Sequence, residues 1–91
     1  MDNRERPIIM KQAYRKYIAG KLIHYRGENT QREIADKLEM PLKTYQSYEE
    51  ARAEPSLYNL EKICSLHNIS VDNLLYDSPF RFTQNLSNES H

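Results

Sequence analysis

The fold of this chain is decided by residues 30–56, TQREIADKLEMPLKTYQSYEEARAEPS, which read as two short helices joined by a tight turn. Thr30 followed by Glu33 is a capping box, in which a hydroxyl and a carboxylate satisfy free backbone N–H groups at a helix start. Ile34 and Leu38 lie one turn apart and predict the buried stripe of this helix. The cap and the stripe together predict a first helix of about two turns.

The second helix of the pair follows Pro41, which cannot continue the first helix but suits the first turn of the next. Tyr45 and Tyr48 are three residues apart, so they share the inward face of this helix. The small side chain of Ala35 lets the two helices approach closely. An outward face of mostly small or polar side chains is what a helix needs to read base edges in a DNA groove. The outward residues are Leu42, Lys43, Gln46 and Ser47, with Thr44 at the margin.

Helical spacing continues on both sides of this pair. On the N-terminal side it predicts a helix from about Lys11 that Gly27 ends. On the C-terminal side, Ser56 and Ser70 are N-cap candidates for two more helices, and Asn68 suits a left-handed conformation between them. No period-2 strand pattern interrupts these segments. The sequence therefore predicts a compact all-α domain of five helices.

Residues at many separated positions resemble the Cro and lambda-repressor type of helix-turn-helix protein, often called XRE-like. The resemblance covers roughly residues 21–76. It implies a lambda-repressor-like fold of five helices, in which the second and third form the DNA-reading unit. The function it implies is sequence-specific transcriptional regulation, commonly repression by a homodimer. The matching residues are Thr30-Gln31, Ala35, the turn at Glu39-Met40-Pro41, Tyr48-Glu49, Arg52, Glu54-Pro55-Ser56-Leu57, Leu60, Ile63 and Ser70-Val71-Asp72-Asn73-Leu74-Leu75.

The chain departs from the family pattern at its turns. Glu39 stands at a turn position that is usually glycine, and Ala51 stands at another. A left-handed backbone at Glu39 would cost on the order of 1 kcal/mol, which a folded domain tolerates. Pro41 and Leu42 begin the third helix where many relatives carry polar side chains. This start weakens the case for dense hydrogen-bonded base readout.

Geometry and resemblance together assign the candidate base contacts. Lys43 is the best candidate to bind O6 and N7 of guanine, and Ser47, one turn further, could read a neighbouring base. Leu42 offers only apolar contact, for instance to a thymine methyl group. Gln46 either reaches DNA or is solvated.

The candidate phosphate contacts are Thr30, Gln31, Thr44 and Arg52. The N–H groups at the start of the second helix can meet a phosphate, and Gln31 matches the family position whose amide also does so. Arg52 follows the third helix and is interpreted as a phosphate clamp. Phosphate would repel Glu49, so we expect it in an intramolecular ion pair or hydrogen bond that holds this loop.

The charge distribution is more informative than its zero sum. Residues 1–29 carry seven basic and three acidic groups, residues 30–56 four and six, and residues 57–91 two and four. A chain without excess positive charge should bind DNA non-specifically only weakly, and salt should weaken that binding quickly. The basic residues of the first segment are either a solvated helix start or an arm along the DNA backbone. They are Arg4, Arg6, Lys11, Arg15 and Lys16.

Several classes of protein are excluded by composition and spacing. The single cysteine, Cys64, allows no intramolecular disulfide and suits a reducing cytoplasm; it is either a plain core residue or has a redox or metal role. The chain contains no run of 18 apolar residues, so no membrane span is predicted. The N-terminal residues lack the apolar core of a signal peptide, so none is predicted. Scattered histidines and the lack of a glycine-rich loop leave no expected metal, cofactor or catalytic site. His67, beside the end of a helix, is interpreted as favourable to the helix dipole rather than as a metal ligand.

The chain divides into an N-terminal arm over residues 1–10, the helix-turn-helix domain over residues 11–77 and a polar tail over residues 78–91. A dimer contact is expected where the domain meets the tail. The alternative is that Phe80 and Phe82 cover the domain's own core. A two-fold dimer would place its reader helices roughly 34 Å apart, which predicts an inverted-repeat DNA site. The candidate dimer residues are Leu74, Leu75, Tyr76, Phe80 and Phe82.

Two functions stay open at this stage. One is a DNA-binding transcriptional regulator of bacterial or phage origin, acting in the cytoplasm, and Gln31, Lys43 and Arg52 favour it. The other is a protein-interaction module, such as an antitoxin or adaptor, that keeps the fold but uses other surfaces. Neutral net charge and the adjacent Glu49 and Glu50 favour this second reading.

Overall fold

A computed structural model describes residues 5–76 of the chain, with the side chains of residues 11–76. These residues form five α-helices and no strand, which confirms the prediction of an all-α domain. None of the helices in this range combines the length and apolar character that crossing a bilayer requires. The helices are α1 (Glu5–Arg26), α2 (Gln31–Lys37), α3 (Leu42–Glu49), α4 (Leu57–Leu66) and α5 (Val71–Leu74).

The helix starts follow the predicted caps, except that α1 begins at Glu5 rather than at about Lys11. The Thr30 hydroxyl accepts the Glu33 N–H at 3.0 Å and the Glu33 carboxylate accepts the Thr30 N–H at 2.7 Å, which completes the capping box. Ser56 and Ser70 cap α4 and α5 in the predicted way. Their hydroxyls accept the N–H groups of Asn59 and Asn73 at 3.1 and 3.0 Å. These local bonds set where three of the helices begin.

Three helices end in the same left-handed turn without a glycine. Glu39, Ala51 and Asn68 have φ angles of 55°, 60° and 62°. The N–H of the residue after each of them donates to a carbonyl five residues back, at 2.9–3.0 Å, and satisfies a helix end. The left-handed conformation of Asn68 is as predicted, and Glu39 and Ala51 adopt it at the positions where the family pattern has glycine. Pro41 differs slightly, since it is the N-cap of α3 and the helix begins one residue later.

The core lies between α1, the helix pair α2–α3 and the C-terminal helices. Tyr45 is completely buried at its centre, and Tyr48 is nearly so, as their spacing predicted. The Tyr48 hydroxyl accepts a hydrogen bond from the Asn59 amide at 2.9 Å, which joins α3 to α4. The Tyr17 hydroxyl donates to the Leu74 carbonyl at 2.6 Å and joins α1 to α5. The remaining core residues are Ile18, Leu22, Ile34, Ala35, Leu38, Met40, Leu60, Ile63, Cys64 and Leu74.

Candidate nucleic-acid interface

The face of α3 that points away from the core carries one lysine without an ion-pair partner among the described residues. Lys43 is exposed and has no ion pair or hydrogen bond within residues 11–76. Thr44, Gln46 and Ser47 lie half-buried on the same helix. The Lys43 ammonium is therefore available to an external acceptor, such as a guanine edge in the major groove.

Two of the predicted base-contacting residues make contacts within the protein. Leu42 is half-buried and packs against the core, because it lies three residues before Tyr45 and shares its side of the helix. Its apolar surface is thus less outward than predicted. The Ser47 hydroxyl donates to the Thr44 carbonyl at 2.6 Å, so only its oxygen lone pairs remain for another donor.

The start of α2 presents backbone donors beside a carboxylate. The N–H groups of Gln31 and Arg32 make no hydrogen bond in the described part of the chain, so they can bind a phosphate. The capping carboxylate of Glu33 lies at the same helix end. Hydrogen bonds from the Thr30 backbone and side chain hold the pKa of Glu33 below its usual value, so this carboxylate is ionised at neutral pH.

A buried ion pair lies directly beneath this helix pair. Arg26 donates through Nε and Nη2 to the two carboxylate oxygens of Glu49, at 2.7 and 3.1 Å. The Glu49 side chain is only 3% exposed. Arg26 also donates through Nη1 to the Asn29 carbonyl at 2.9 Å, and so holds the loop before α2. The predicted intramolecular role of Glu49 is confirmed, and its partner is an arginine 23 positions away that nothing local in the sequence singled out.

Two glutamines extend this ion pair to the surface. The Gln31 amide donates to Glu49 Oε1 at 2.9 Å, and its own oxygen accepts the Gln46 NH₂ at 3.1 Å. Gln46 was predicted either to reach DNA or to be solvated, but it is first of all a partner of Gln31. The candidate phosphate contact and the candidate base contact are therefore joined before any DNA is bound.

The charge state of this network follows from its contacts. Burial alone would raise the pKa of Glu49, but the hydrogen bonds from Arg26 and Gln31 and the nearby Tyr45 hydroxyl together outweigh burial and lower that pKa. The hydrogen bond to Glu49 raises the pKa of Arg26. Burial, followed by the Glu49 carboxylate, raises the pKa of Tyr45, whose enclosed hydroxyl makes no hydrogen bond of regular geometry among the described residues. At neutral pH the pair is ionised and the tyrosine is neutral.

The predicted phosphate clamp Arg52 lies in the exposed loop after α3. Its Nε donates to Glu50 at 2.7 Å, and the two side chains are 62% and 53% exposed. Exposed pairs of this kind contribute little to stability, about 0–1 kcal/mol. A phosphate can therefore displace Glu50 from Arg52 at small cost.

Two of the basic residues on α1 form ion pairs with Glu54, in the loop before α4. Arg15 donates to the Glu54 carboxylate, and Lys11 lies 3.7 Å from it. The Arg15 hydrogen bond lowers the pKa of Glu54. The side chains of Arg4 and Arg6 fall outside the described residues, and Lys16 is exposed. For Lys11 and Arg15 the structure thus gives a third role, as a link between α1 and the loop before α4.

Cys64 and His67 lie in or beside the core. Cys64 is buried, and burial raises the pKa of its thiol, which fits a plain core residue. The His67 ring stacks on Tyr25 at 5.4 Å. Burial and the charge of Lys37 lower the pKa of His67. This ring is therefore neutral at neutral pH, so it does not supply a positive charge to the helix dipole at the end of α4.

The predicted dimer-contact residues differ in how far they are buried in the monomer. Leu74 is 0% exposed and belongs to the monomer core, so its side chain has no surface left for a second protomer. Leu75 is half-buried against that core. Tyr76 is 56% exposed. Phe80 and Phe82 lie outside the described residues.

The comparisons with known proteins agree with this geometry. A family model described as helix-turn-helix matches residues 26–74, from the last residue of α1 to the last residue of α5. The match therefore includes α2 and α3, the two helices of the helix-turn-helix, and the helices α4 and α5 that follow them. No curated protein and no solved structure matches the chain.

Proposed function

This chain belongs to the Cro and lambda-repressor (XRE) type of DNA-binding helix-turn-helix regulators, and we propose that it is a sequence-specific transcriptional repressor acting as a homodimer. Its site would be an inverted repeat in double-stranded DNA, bound in the cytoplasm of a bacterium. The regulator class comes from the family match over residues 26–74. The roles of single residues, the dimer and the operator are the proposal.

The observation that carries the proposal is the placement of Lys43. It is exposed on α3 and unpaired within residues 11–76, and the neighbouring helix α2 begins with two backbone N–H groups that are free to bind phosphate. A phosphate bound at Gln31 and Arg32 would fix the register of α3 in the major groove. Lys43 then supplies the charged base contact. Arg52 adds a second phosphate contact on the far side of α3.

The experiment is selection from a random duplex pool at near-physiological salt, followed by binding measurements on the enriched sequence. We expect an inverted repeat with half-sites about one helical turn apart. Lys43→Ala should lose specific binding, because its base contact is worth about 1–3 kcal/mol of discrimination per half-site. Lys62→Ala is the matched control, because Lys62 lies on α4, with its ammonium over the Tyr58 ring, and not on the DNA-reading helix α3.

A second candidate function has one observation in its favour. Leu57 and Tyr58 are adjacent in the first turn of α4 and are 67% and 70% exposed. Such a pair suits a protein partner, as in an antitoxin or adaptor that keeps the helix-turn-helix fold. If the folded protein enriches no sequence from the pool, this reading replaces the first. Loss of partner binding in Tyr58→Ser, with the fold intact, would then support it.

A further inference from the structure

The hydrogen bonds among Gln46, Gln31 and Glu49 all run in one direction. An ionised carboxylate only accepts hydrogen bonds, so the group of Gln31 that faces Glu49 must be its NH₂. The Gln31 oxygen then faces Gln46, and the group of Gln46 that faces it must also be NH₂. An amide without such an anchor can exchange its oxygen and nitrogen by a half-turn. The buried charge therefore fixes the orientation of an amide at the surface.

We propose that the Arg26–Glu49 pair positions the Gln46 amide and thereby makes Gln46 selective for adenine, although neither residue touches DNA. The inference rests on the proposed function, since it requires that α3 enters the major groove. With one N–H bound to Gln31, Gln46 keeps its carbonyl oxygen and a second N–H. Adenine presents an N6 donor and an N7 acceptor there, which is the complementary pair. Guanine presents two acceptors, and its O6 would oppose the Gln46 oxygen.

Arg26 is needed because Glu49 is buried. A carboxylate that is 3% exposed is stable as an anion only if it is paired and hydrogen-bonded. Arg26 supplies the charge and two of these bonds. Without it, burial would favour the protonated form of Glu49, which carries a donor and no longer requires the NH₂ of Gln31. Arg26 thus acts through Glu49 and Gln31, at a distance from the groove.

The test uses the full chain and duplexes that carry the enriched site. Gln46→Met identifies the base pair that Gln46 reads, as the position where discrimination collapses. At that position the unmodified protein should prefer A·T over the other base pairs by roughly tenfold or more. Gln31→Met and Glu49→Gln should each reduce this preference to within about threefold, at the same base pair. Preferences elsewhere in the site should stay unchanged.

Two controls separate positioning from simple loss of structure. Glu54→Gln also removes an Arg–Glu link, but one between α1 and the loop before α4, so it should leave the A·T preference intact. In a Gln46→Met background, Glu49→Gln should cause no further change of preference. A merely structural role for Glu49 would instead lower affinity for all duplexes together.

A measurement without substitution covers the case in which Glu49→Gln fails to fold. Side-chain amide NMR signals of Gln31 and Gln46 should shift together as Glu49 is protonated on acidification. Stationary Gln46 signals, or an unchanged A·T preference in Gln31→Met, would overturn the inference. If Gln46→Met shows that the base read is not adenine, the inference also fails while the regulator function stands. If the unmodified protein enriches no sequence, both fail together.

Discussion

Two neighbouring glutamates at the end of α3 have opposite surroundings. Glu49 is turned toward α1, is 3% exposed and is bound by Arg26 and Gln31. Glu50 is turned to solvent, is 53% exposed and is paired with Arg52. One step along a helix rotates a side chain by about 100°, which is enough to separate core from surface. The same residue type therefore belongs to the core at one position and pairs with an exposed arginine at the next.

The largest expected difference between the two positions is in stability. Glu49→Gln leaves Arg26 without its counter-charge and should lower the free energy of unfolding by roughly 2–3 kcal/mol. The value lies below the roughly 3–5 kcal/mol of fully buried pairs because the Arg26 side chain is 23% exposed. Glu50→Gln should change it by less than about 0.5 kcal/mol. Urea denaturation of both variants tests the contrast, and equal effects would contradict it.

Acid should remove the stabilisation that Glu49 provides. Its folded-state pKa lies below the ordinary 4.5, so the folded state binds fewer protons than the unfolded chain around that pH. The contribution is therefore fully present above pH 4.5 and is lost as the pH falls through the folded-state value. The stability gap between the unmodified protein and Glu49→Gln should narrow below pH 4.5, as followed by denaturation at successive pH values. A gap that stays constant down to the acid transition would contradict this.

The sequence predicted the parts of the fold that depend on near neighbours. The capping box at Thr30, the serine caps and the left-handed turn at Asn68 depend on residues within five positions, so local rules were sufficient. The inward faces of Tyr45 and Tyr48 followed from helical spacing. Each of these features involves one helix or one turn.

Contacts between distant segments were not predictable in the same way. Local patterning indicated that Glu49 would be paired, but it could not identify Arg26, because the contact depends on how α1 crosses α3. The Gln31–Gln46 link has the same origin, since it requires the angle between α2 and α3. The hydrogen bond from Tyr17 on α1 to the Leu74 carbonyl on α5 also joins segments that are distant in the sequence. The sequence thus predicted the caps and the inward faces of single helices better than the contacts between helices.

A smaller effect is expected at Arg52, on DNA binding rather than on stability. Arg52→Ala should weaken binding to all duplexes by a similar factor and reduce the slope of log affinity against log salt by about 1 per protomer. Its unfolding free energy should change by less than about 0.5 kcal/mol. Binding isotherms at several salt concentrations measure this slope. An unchanged slope would show that Arg52 does not contact phosphate.

The smallest expected effect is a gain of affinity in Glu50→Gln. Removing this carboxylate frees Arg52 and reduces repulsion of the DNA backbone, so affinity should rise by about two- to fivefold at low salt. The increase should disappear in an Arg52→Ala background if it acts through that arginine. A loss of affinity in Glu50→Gln would mean that Glu50 holds Arg52 in its binding position.

The most direct test of the account is an NMR titration of the protein with a duplex recovered from the random pool. If α3 enters the groove while α2 and the loop after α3 contact phosphate, the largest shifts should occur at Gln31, Arg32, Lys43, Gln46 and Arg52. Tyr58 and Lys62 on α4 should change little. Shifts concentrated at Leu57 and Tyr58, with α3 unperturbed, would contradict the assignment of α3 as the DNA-reading helix.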